Sequence, residues 1–269
     1  MIYFVGAGPG AADLITVRGK TLLEQADLII YAGSLVNPEL LHYAKKTCTI
    51  MDSAHMTLEE VIQAMEEAQQ QDCLIVRLHT GDPSIYGAIR EQMDILSRDG
   101  MAYEVVPGVS SFCAAAAAVK AEYTLPAVSQ SVIITRMEGR TPVPDKQKIA
   151  DYAAHHATMV IFLSAGLVEA LQEELLRGGY EGTTPAAIVY KASWPQEQVF
   201  RCTVATLAAT AAQHQVTKTA LLLVGDFLGT SYDRSLLYHP GFTHGYRQAD
   251  PGQKKYNDTM HGPHKEEGR

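Results

Sequence analysis

Short apolar runs alternate with amphipathic segments along the first 120 residues. The runs at residues 2–5, 28–31, 49–51, 74–78 and 103–106 are typical of strands buried in a sheet. Helical spacing of apolar residues separates them, at residues 16–27, 37–44, 57–70, 85–98 and 110–119. This alternation predicts a mainly parallel sheet with crossover helices.

A second alternating pattern follows a break near residue 123. It predicts strands at 132–135, 159–163, 186–190, 198–202 and 220–224, and helices at 146–155, 167–177 and 203–213. The short link between 186–190 and 198–202 indicates an antiparallel pair, and therefore a mixed sheet. We predict two unlike α/β domains, residues 1–122 and 123–244, with an interdomain cleft, and a flexible polar tail at 245–269.

Composition narrows the function classes. The 269 residues are 46% hydrophobic and carry a formal net charge of −8, which argues against general nucleic-acid binding. No apolar run approaches the roughly 20 residues of a membrane span, and no signal peptide is recognised, so a cytoplasmic protein is expected. The four cysteines are widely spaced without a C-x-x-C, which predicts free thiols and no metal site.

The first predicted strand leads into a loop of three glycines. Gly6, Gly8 and Ala11 match the G-x-G-x-x-G/A pattern of dinucleotide-binding proteins. Pro9, however, offers no N–H to a pyrophosphate, and Asp13 adds a negative charge beside it. The acidic residue expected after the second strand is also missing. A nicotinamide or flavin site is therefore disfavoured, and a tight turn without a ligand remains possible.

Three further loops of small residues follow predicted strands, at 80–83, 107–111 and 163–166. Ligands of parallel sheets bind at the carboxyl ends of the strands, and small residues let a backbone approach a ligand closely. Simpler interpretations stay open. Asp82 or Ser110 could cap the helix that follows, and the Pro-Gly pair at 107–108 could be only a turn.

Three motifs in order carry a resemblance to a known family. They are V-G-x-G-P-G-x-x-x-L-I-T at 5–16, G-D-P at 81–83 and P-G-V-S-S at 107–111. With them the chain resembles the tetrapyrrole (corrin/porphyrin) methyltransferases over about residues 1–243. Segments 31–36 and 52–57 are similar to the subgroup that methylates carbon 11 of precorrin-4, or of its cobalt complex, in cobalamin synthesis.

The resemblance implies a homodimer that binds S-adenosylmethionine between two α/β domains and releases S-adenosylhomocysteine. Asp82 is the one candidate for a catalytic group, and no general base is identified. Leu163 takes a place that is methionine in several relatives. The residues that match cofactor-contacting positions of the family are Pro9, Thr80, Gly81, Asp82, Ile85, Ser110, Ser111, Leu163, Tyr190, Ala192 and Ala220.

A tetrapyrrole substrate carries many carboxylates, so cationic side chains near the strand ends are candidates for binding it. They are Arg77, His79, Arg136, Arg140 and Lys191, with His55 in a loop that could form a lid. A solvated surface charge is an equally good interpretation of each. Three alternative functions stay open: methylation of another position or tetrapyrrole, a dinucleotide-dependent oxidoreductase, and a non-catalytic tetrapyrrole carrier.

Overall fold

The computed structural model describes residues 1–249 and 259–261. The chain divides into two units, each with its own sheet. The first unit contains Met1–Ala115 and also Lys191–Glu197. The second contains Ala116–Tyr190 and the described residues from 198 onward. Chain order alone places 191–197 with the second domain, so its membership of the first unit is a structural finding.

The sheet of the first unit is entirely parallel, with strand order β3-β2-β4-β1-β5. Its strands are β1 Ile2–Gly6, β2 Leu28–Tyr31, β3 Thr49–Asp52, β4 Ile75–His79 and β5 Tyr103–Val106. The helices are α1 Val17–Gln25, α2 Leu58–Gln69, α3 Arg90–Arg98 and α4 Ser111–Val119. The predicted parallel sheet is confirmed.

The three central strands, β2, β4 and β1, are buried on both faces of this sheet, which explains why they are mainly apolar. The edge strands β3 and β5 are partly exposed. One face packs Val5, Leu78 and the helix residue Leu23 into a single cluster. The opposite face packs Phe4 and Ile75 into another, with residues of α2 and α3. The central strands β4 and β1 therefore bury side chains on both sides.

Helix α2 begins where the sequence predicts, because Thr57 forms a capping box with Glu60. Helix α3 does not. It begins at Arg90, so the predicted helix at 85–98 is wrong in its first five residues. Tyr86 and Ala88 lie in the left-handed region, with φ of 56° and 47°, and such residues cannot continue an α-helix.

The second unit has a mixed sheet with strand order β6-β7-β10-β8-β9. Its strands are β6 Val132–Arg136, β7 Thr158–Phe162, β8 Pro185–Tyr190, β9 Gln198–Thr203 and β10 Ala220–Val224. The helices are α5 Ile149–Ala153, α6 Val168–Arg177 and α7 Leu207–Gln213. β8 and β9 pair antiparallel, which confirms the predicted mixed sheet.

The segment predicted as a tail is described in part. β11, Ser231–Asp233, pairs antiparallel with β12, Thr259–His261. Residues 250–258 and 262–269 lie outside the described residues, so the predicted flexibility remains a prediction. None of the helices in the described ranges is long and apolar enough to cross a membrane.

Candidate functional site

Three loops meet at the carboxyl edge of the parallel sheet, where β1, β4 and β5 end. The loop after β1 pairs with the loop after β4. The Gly8 N–H donates to the Gly81 carbonyl at 3.2 Å, and the Gly81 N–H donates to the Gly8 carbonyl at 2.8 Å. We call the meeting point of Gly6, Gly81 and Gly108 the glycine crossing.

The glycines of the crossing are required by contact between backbones. A Cβ on Gly108 would lie 2.1 Å from the Gly81 carbonyl oxygen and 2.7 Å from the Gly6 Cα. A Cβ on Gly6 would lie 2.5 Å from the Gly108 Cα. Close contact between loops therefore explains why Gly6 and Gly108 are glycines. From the sequence alone, close approach of a ligand was an equally possible reason.

Asp82 joins two of these loops through its carboxylate. Oδ2 accepts from the Gly108 N–H at 2.9 Å, and Oδ1 accepts from the Ser84 N–H at 2.8 Å and from the Ser84 hydroxyl. Partial burial tends to raise the pKa of Asp82, but these hydrogen bonds outweigh it and hold the pKa below its ordinary value. Asp82 is thus ionised at neutral pH. It does not cap α3, which begins eight residues later.

The polar backbone groups of the loop at residues 6–12 are largely used within the protein. The Ala7 N–H donates to the His79 carbonyl at 2.7 Å. The Ala11 N–H donates to Ser193 Oγ at 3.0 Å, and the Gly10 carbonyl accepts from Asn37 Nδ2 at 2.8 Å. A pyrophosphate site needs free N–H groups at such a loop. The observed bonding therefore argues against a dinucleotide.

Segment 191–197 closes on the same loop. Trp194 donates from Nε1 to the Pro9 carbonyl at 3.1 Å. Its ring covers Gly10, where a Cβ would lie 2.1 Å from Trp194 Cδ1. Ser193, Trp194 and Asn37 are not among the residues predicted for the site. The available signal was Trp194 itself, the one tryptophan of the chain, beside a proline.

Most of the predicted cofactor residues lie in the first unit. A Cβ on Gly81 would lie 3.5 Å from the Ser110 Cα and 3.6 Å from the Ser111 nitrogen, so the second and third loops are in direct contact. The predicted residues in this unit are Pro9, Gly81, Ser110 and Ala192, which are buried, and Thr80, Asp82, Ile85 and Ser111, which are half-buried.

The second unit brings the other three predicted cofactor residues to one end of its sheet. Tyr190 at the end of β8 lies opposite Ala220 at the start of β10. Leu163 directly follows β7, whose Ile161 lies opposite Leu222 of β10. Leu163 is 65% exposed and has a φ of 53°. An exposed leucine in the left-handed region is strained, and such strain is common at functional sites.

Two of the predicted substrate-binding residues lie in the interior instead. Arg77 is buried and donates to Gln92 Oε1 at 3.2 Å and to the Ile30 carbonyl at 3.1 Å. His79 is 3% exposed, and burial together with the Arg77 charge lowers its pKa to about 3. Both lie on the central strand β4, where burial keeps either side chain from presenting a charge to a substrate.

The remaining cationic candidates differ in how they are held. Arg136 donates to the carbonyls of three residues in the loop that follows β6, and so serves that loop. Arg140 is exposed, and His55 is exposed on a short turn after β3. Lys191 places its Nζ 5.7 Å from the centre of the Trp194 ring. Arg140, His55 and Lys191 stay candidates.

Comparison with known proteins identifies the family. The family described as Tetrapyrrole (Corrin/Porphyrin) Methylases matches residues 1–208. The chain belongs to this family. Within the described residues no group of three histidine, cysteine, aspartate or glutamate side chains is placed to hold a metal ion.

Individual methylases of the family resemble nearly the whole chain. The cobalt-precorrin-4 C(11)-methyltransferase of Methanocaldococcus jannaschii is 52% identical over 249 residues, which cover 92% of this chain and 96% of that protein. A solved cobalt precorrin-4 methyltransferase, a cobalamin biosynthetic enzyme, is 45% identical with a TM-score of 0.83. The match covers 84% of this chain and 95% of that one.

The structure of a more distant relative contains a bound small molecule. It is the uroporphyrin-III C-methyltransferase from Thermus thermophilus, complexed with S-adenosylhomocysteine. It is 26% identical with a TM-score of 0.71, and the match covers 84% of this chain and 98% of that one.

Proposed function

We propose that the chain transfers a methyl group from S-adenosylmethionine to carbon 11 of precorrin-4, cobalt-bound or cobalt-free, giving the corresponding precorrin-5 in cobalamin synthesis. The observation that carries the proposal is the 52% identity, over 92% of this chain, to a protein with that named activity. The 5–16, 81–83 and 107–111 motifs support it, because they converge on one edge of the parallel sheet.

The residues at the glycine crossing fit a cationic cofactor better than a phosphate. Asp82 presents an ionised carboxylate there, while N–H groups of the glycine loop are engaged within the protein. S-adenosylmethionine supplies a positively charged sulfonium whose methyl group is already activated. We propose that the first-unit residues Pro9, Thr80, Gly81, Asp82, Ile85, Ser110, Ser111 and Ala192 hold the cofactor. The cofactor contacts predicted for Leu163, Tyr190 and Ala220 stay predictions.

The chemistry asks little more of the protein than alignment and exclusion of water. The backbone-to-backbone bonds of Gly8 with Gly81 fix two loops in a single geometry. Buried Pro9 and half-buried Ile85 contribute apolar surface beside them. We propose that Arg140, Lys191 and His55 bind substrate carboxylates, since charged pairs of this kind orient an anionic ligand.

A calorimetric titration separates the two cofactor classes. We expect S-adenosylhomocysteine to bind with a micromolar Kd and NADH to give no heat at the same concentrations. If NADH binds and S-adenosylhomocysteine does not, a dinucleotide-dependent oxidoreductase becomes the favoured function.

The acceptor position needs a product analysis. The chain is incubated with ¹³C-methyl S-adenosylmethionine and, in separate reactions, with precorrin-3, precorrin-4 and their cobalt complexes. We expect one labelled methyl group on carbon 11 of a precorrin-4 acceptor, seen by NMR. Label at another carbon would leave the family assignment intact and refute the proposed position.

We also propose a cytoplasmic homodimer. The family resemblance supports the dimer, and the cytoplasm suits a chain whose four cysteines are all free thiols. Light scattering after gel filtration tests the dimer, which should give twice the 29.3 kDa chain mass. A mass of one chain at micromolar concentration would contradict it.

A further inference from the structure

Segment 191–197 belongs to the first unit although the strands on either side of it, β8 and β9, belong to the second. Its contacts with the loop at residues 6–12 are specific. Trp194 donates from Nε1 to the Pro9 carbonyl at 3.1 Å, and Ser193 Oγ accepts from the Ala11 N–H at 3.0 Å. Trp194 thus binds the carbonyl of the residue before Gly10, and Ser193 binds the N–H of the residue after it.

The middle residue of this stretch can only be glycine while the tryptophan is present. A Cβ on Gly10 would lie 2.1 Å from Cδ1 and 2.2 Å from Nε1 of Trp194. Both atoms belong to a rigid ring, so a small rotation cannot relieve the overlap. The pyrrole side of the indole, with Cδ1 and Nε1, therefore packs directly against the backbone of the glycine loop.

The segment is itself held in a fixed shape. The Trp194 N–H donates to the Lys191 carbonyl at 3.0 Å, and the Ser193 N–H donates to a Glu197 carboxylate oxygen at 2.6 Å. Lys191 and Ser193 have φ values of 47° and 67°. Left-handed conformations of such residues cost of order 1–3 kcal/mol and persist where surrounding contacts determine them.

From these contacts we infer that Trp194 is a positioning residue for the cofactor, acting through the glycine loop. The indole fixes the Pro9–Ala11 backbone, and that backbone contributes to the cofactor surface. This inference rests on the proposed function. It assigns to Trp194 an effect on cofactor affinity, distinct from a contribution to folding alone.

The one tryptophan of the chain makes a direct readout possible. Its emission on titration with S-adenosylhomocysteine reports the environment of the glycine loop. We expect a saturable change in intensity or wavelength, with a midpoint equal to the calorimetric Kd. Emission that stays constant while calorimetry shows saturation would overturn the inference.

A matched pair of variants separates positioning from folding. Trp194→Phe keeps an aromatic ring and removes the donor to Pro9. Tyr180→Phe also removes an aromatic side-chain donor to a backbone carbonyl, that of Ala157, but in the second unit. We expect Trp194→Phe to raise the S-adenosylhomocysteine Kd and the S-adenosylmethionine KM about tenfold, about 1.4 kcal/mol. The tetrapyrrole KM should stay within twofold.

Tyr180→Phe should lower the melting temperature and leave both KM values unchanged. Equal cofactor affinity in Trp194→Phe and the wild type would overturn the inference alone. Failure of the wild-type chain to bind S-adenosylhomocysteine would overturn the proposed cofactor, and the inference with it.

A double mutant tests the fit of indole to glycine. Gly10→Ala alone should weaken S-adenosylhomocysteine binding by a hundredfold or more, because its Cβ overlaps the ring. In a Trp194→Ala background the same change should cost less than threefold, since the ring is gone. Additive losses across this cycle would show that the two residues act independently and would contradict the inference.

Discussion

The two sheets carry their predicted cofactor residues in different ways. In the first unit the residues sit on loops locked by backbone contact at the glycine crossing, with Asp82 bonded to Gly108 and Ser84. In the second unit they are side chains at the strand ends, Tyr190 opposite Ala220 and Leu163 exposed beside them. A site built from backbone tolerates almost no added atom, whereas one built from exposed side chains can change at small cost to stability.

Gly108→Ala should show the largest difference in stability between the two units. Its Cβ would lie 2.1 Å from the Gly81 carbonyl oxygen. The overlap is with backbone atoms of Gly81 and Gly6, which cannot shift without disturbing the loops. We expect a loss of about 4 kcal/mol or more in the free energy of unfolding, or failure to fold. In the second unit, Gly139→Ala meets only the end of the Leu167 side chain at 3.2 Å and should cost under about 1 kcal/mol. Urea denaturation of both variants measures the difference.

Asp82→Asn tests the polar link within the crossing. The amide group cannot replace both carboxylate oxygens, so the Gly108 N–H or the Ser84 pair loses its acceptor. We expect a loss of about 2–3 kcal/mol at pH 7, typical of hydrogen bonds to a charged group. Ser84→Ala removes a single donor and should cost less.

The pH dependence of this variant follows from the lowered pKa of Asp82. A carboxyl whose pKa is lowered by folding contributes stability above its unfolded pKa, about 3.9, and loses it as the pH falls through the folded pKa. The unfolding free energies of wild type and Asp82→Asn should therefore converge as the pH falls through the lowered pKa of folded Asp82. A constant gap down to pH 2 would show that the charge of Asp82 is irrelevant.

His79→Leu tests how the buried histidine at the end of β4 affects the free energy of unfolding. The pKa of His79 is lowered to about 3, so the folded protein keeps it neutral while the unfolded chain binds a proton below about pH 6.5. Wild-type stability should therefore fall as the pH drops from 6.5, by about 2 kcal/mol at pH 5 from this group. The variant should lack that loss.

A second histidine provides the control for that experiment. His55→Leu makes the same substitution at an exposed histidine and is the matched comparison for loss of the buried one. Identical acid slopes in His79→Leu and the wild type, measured by chemical denaturation between pH 5 and 7.5, would contradict the assignment.

The smallest expected effect on stability lies in the second unit. Leu163→Gly relieves a left-handed conformation at a residue that is 65% exposed. The unfolding free energy should stay constant or rise by up to about 1 kcal/mol. If Leu163 forms an apolar wall for the cofactor, the S-adenosylmethionine KM should nevertheless rise severalfold. An S-adenosylmethionine KM equal to that of the wild type would remove Leu163 from the site.

Much of the fold was predictable because burial on both faces of a parallel sheet makes its strands continuous apolar runs. The strand Leu28–Tyr31 begins and ends where the sequence predicts. The start of α3 was not predictable, since nothing in Tyr86 or Ala88 signals a positive φ. Such conformations are set by tertiary contacts rather than by propensity.

The candidate site was predictable only in its loops. The glycines marked the crossing, but the sequence could not tell contact with a ligand from contact between Gly6 and Gly108. Arg77 and His79 were predicted near a strand end and so suggested an accessible charge, yet Arg77 lies in the middle of β4 and the central position of this strand buries both. Trp194 lies far along the chain from the loop it covers, which no local pattern reveals.

Hydrogen exchange with mass spectrometry, with and without S-adenosylhomocysteine, tests most directly whether the glycine crossing is the cofactor site. We expect slower exchange in peptides covering residues 6–12, 80–85 and 107–111 when the ligand is bound. Unchanged exchange in all three, with protection confined to other segments at a saturating ligand concentration, would contradict it.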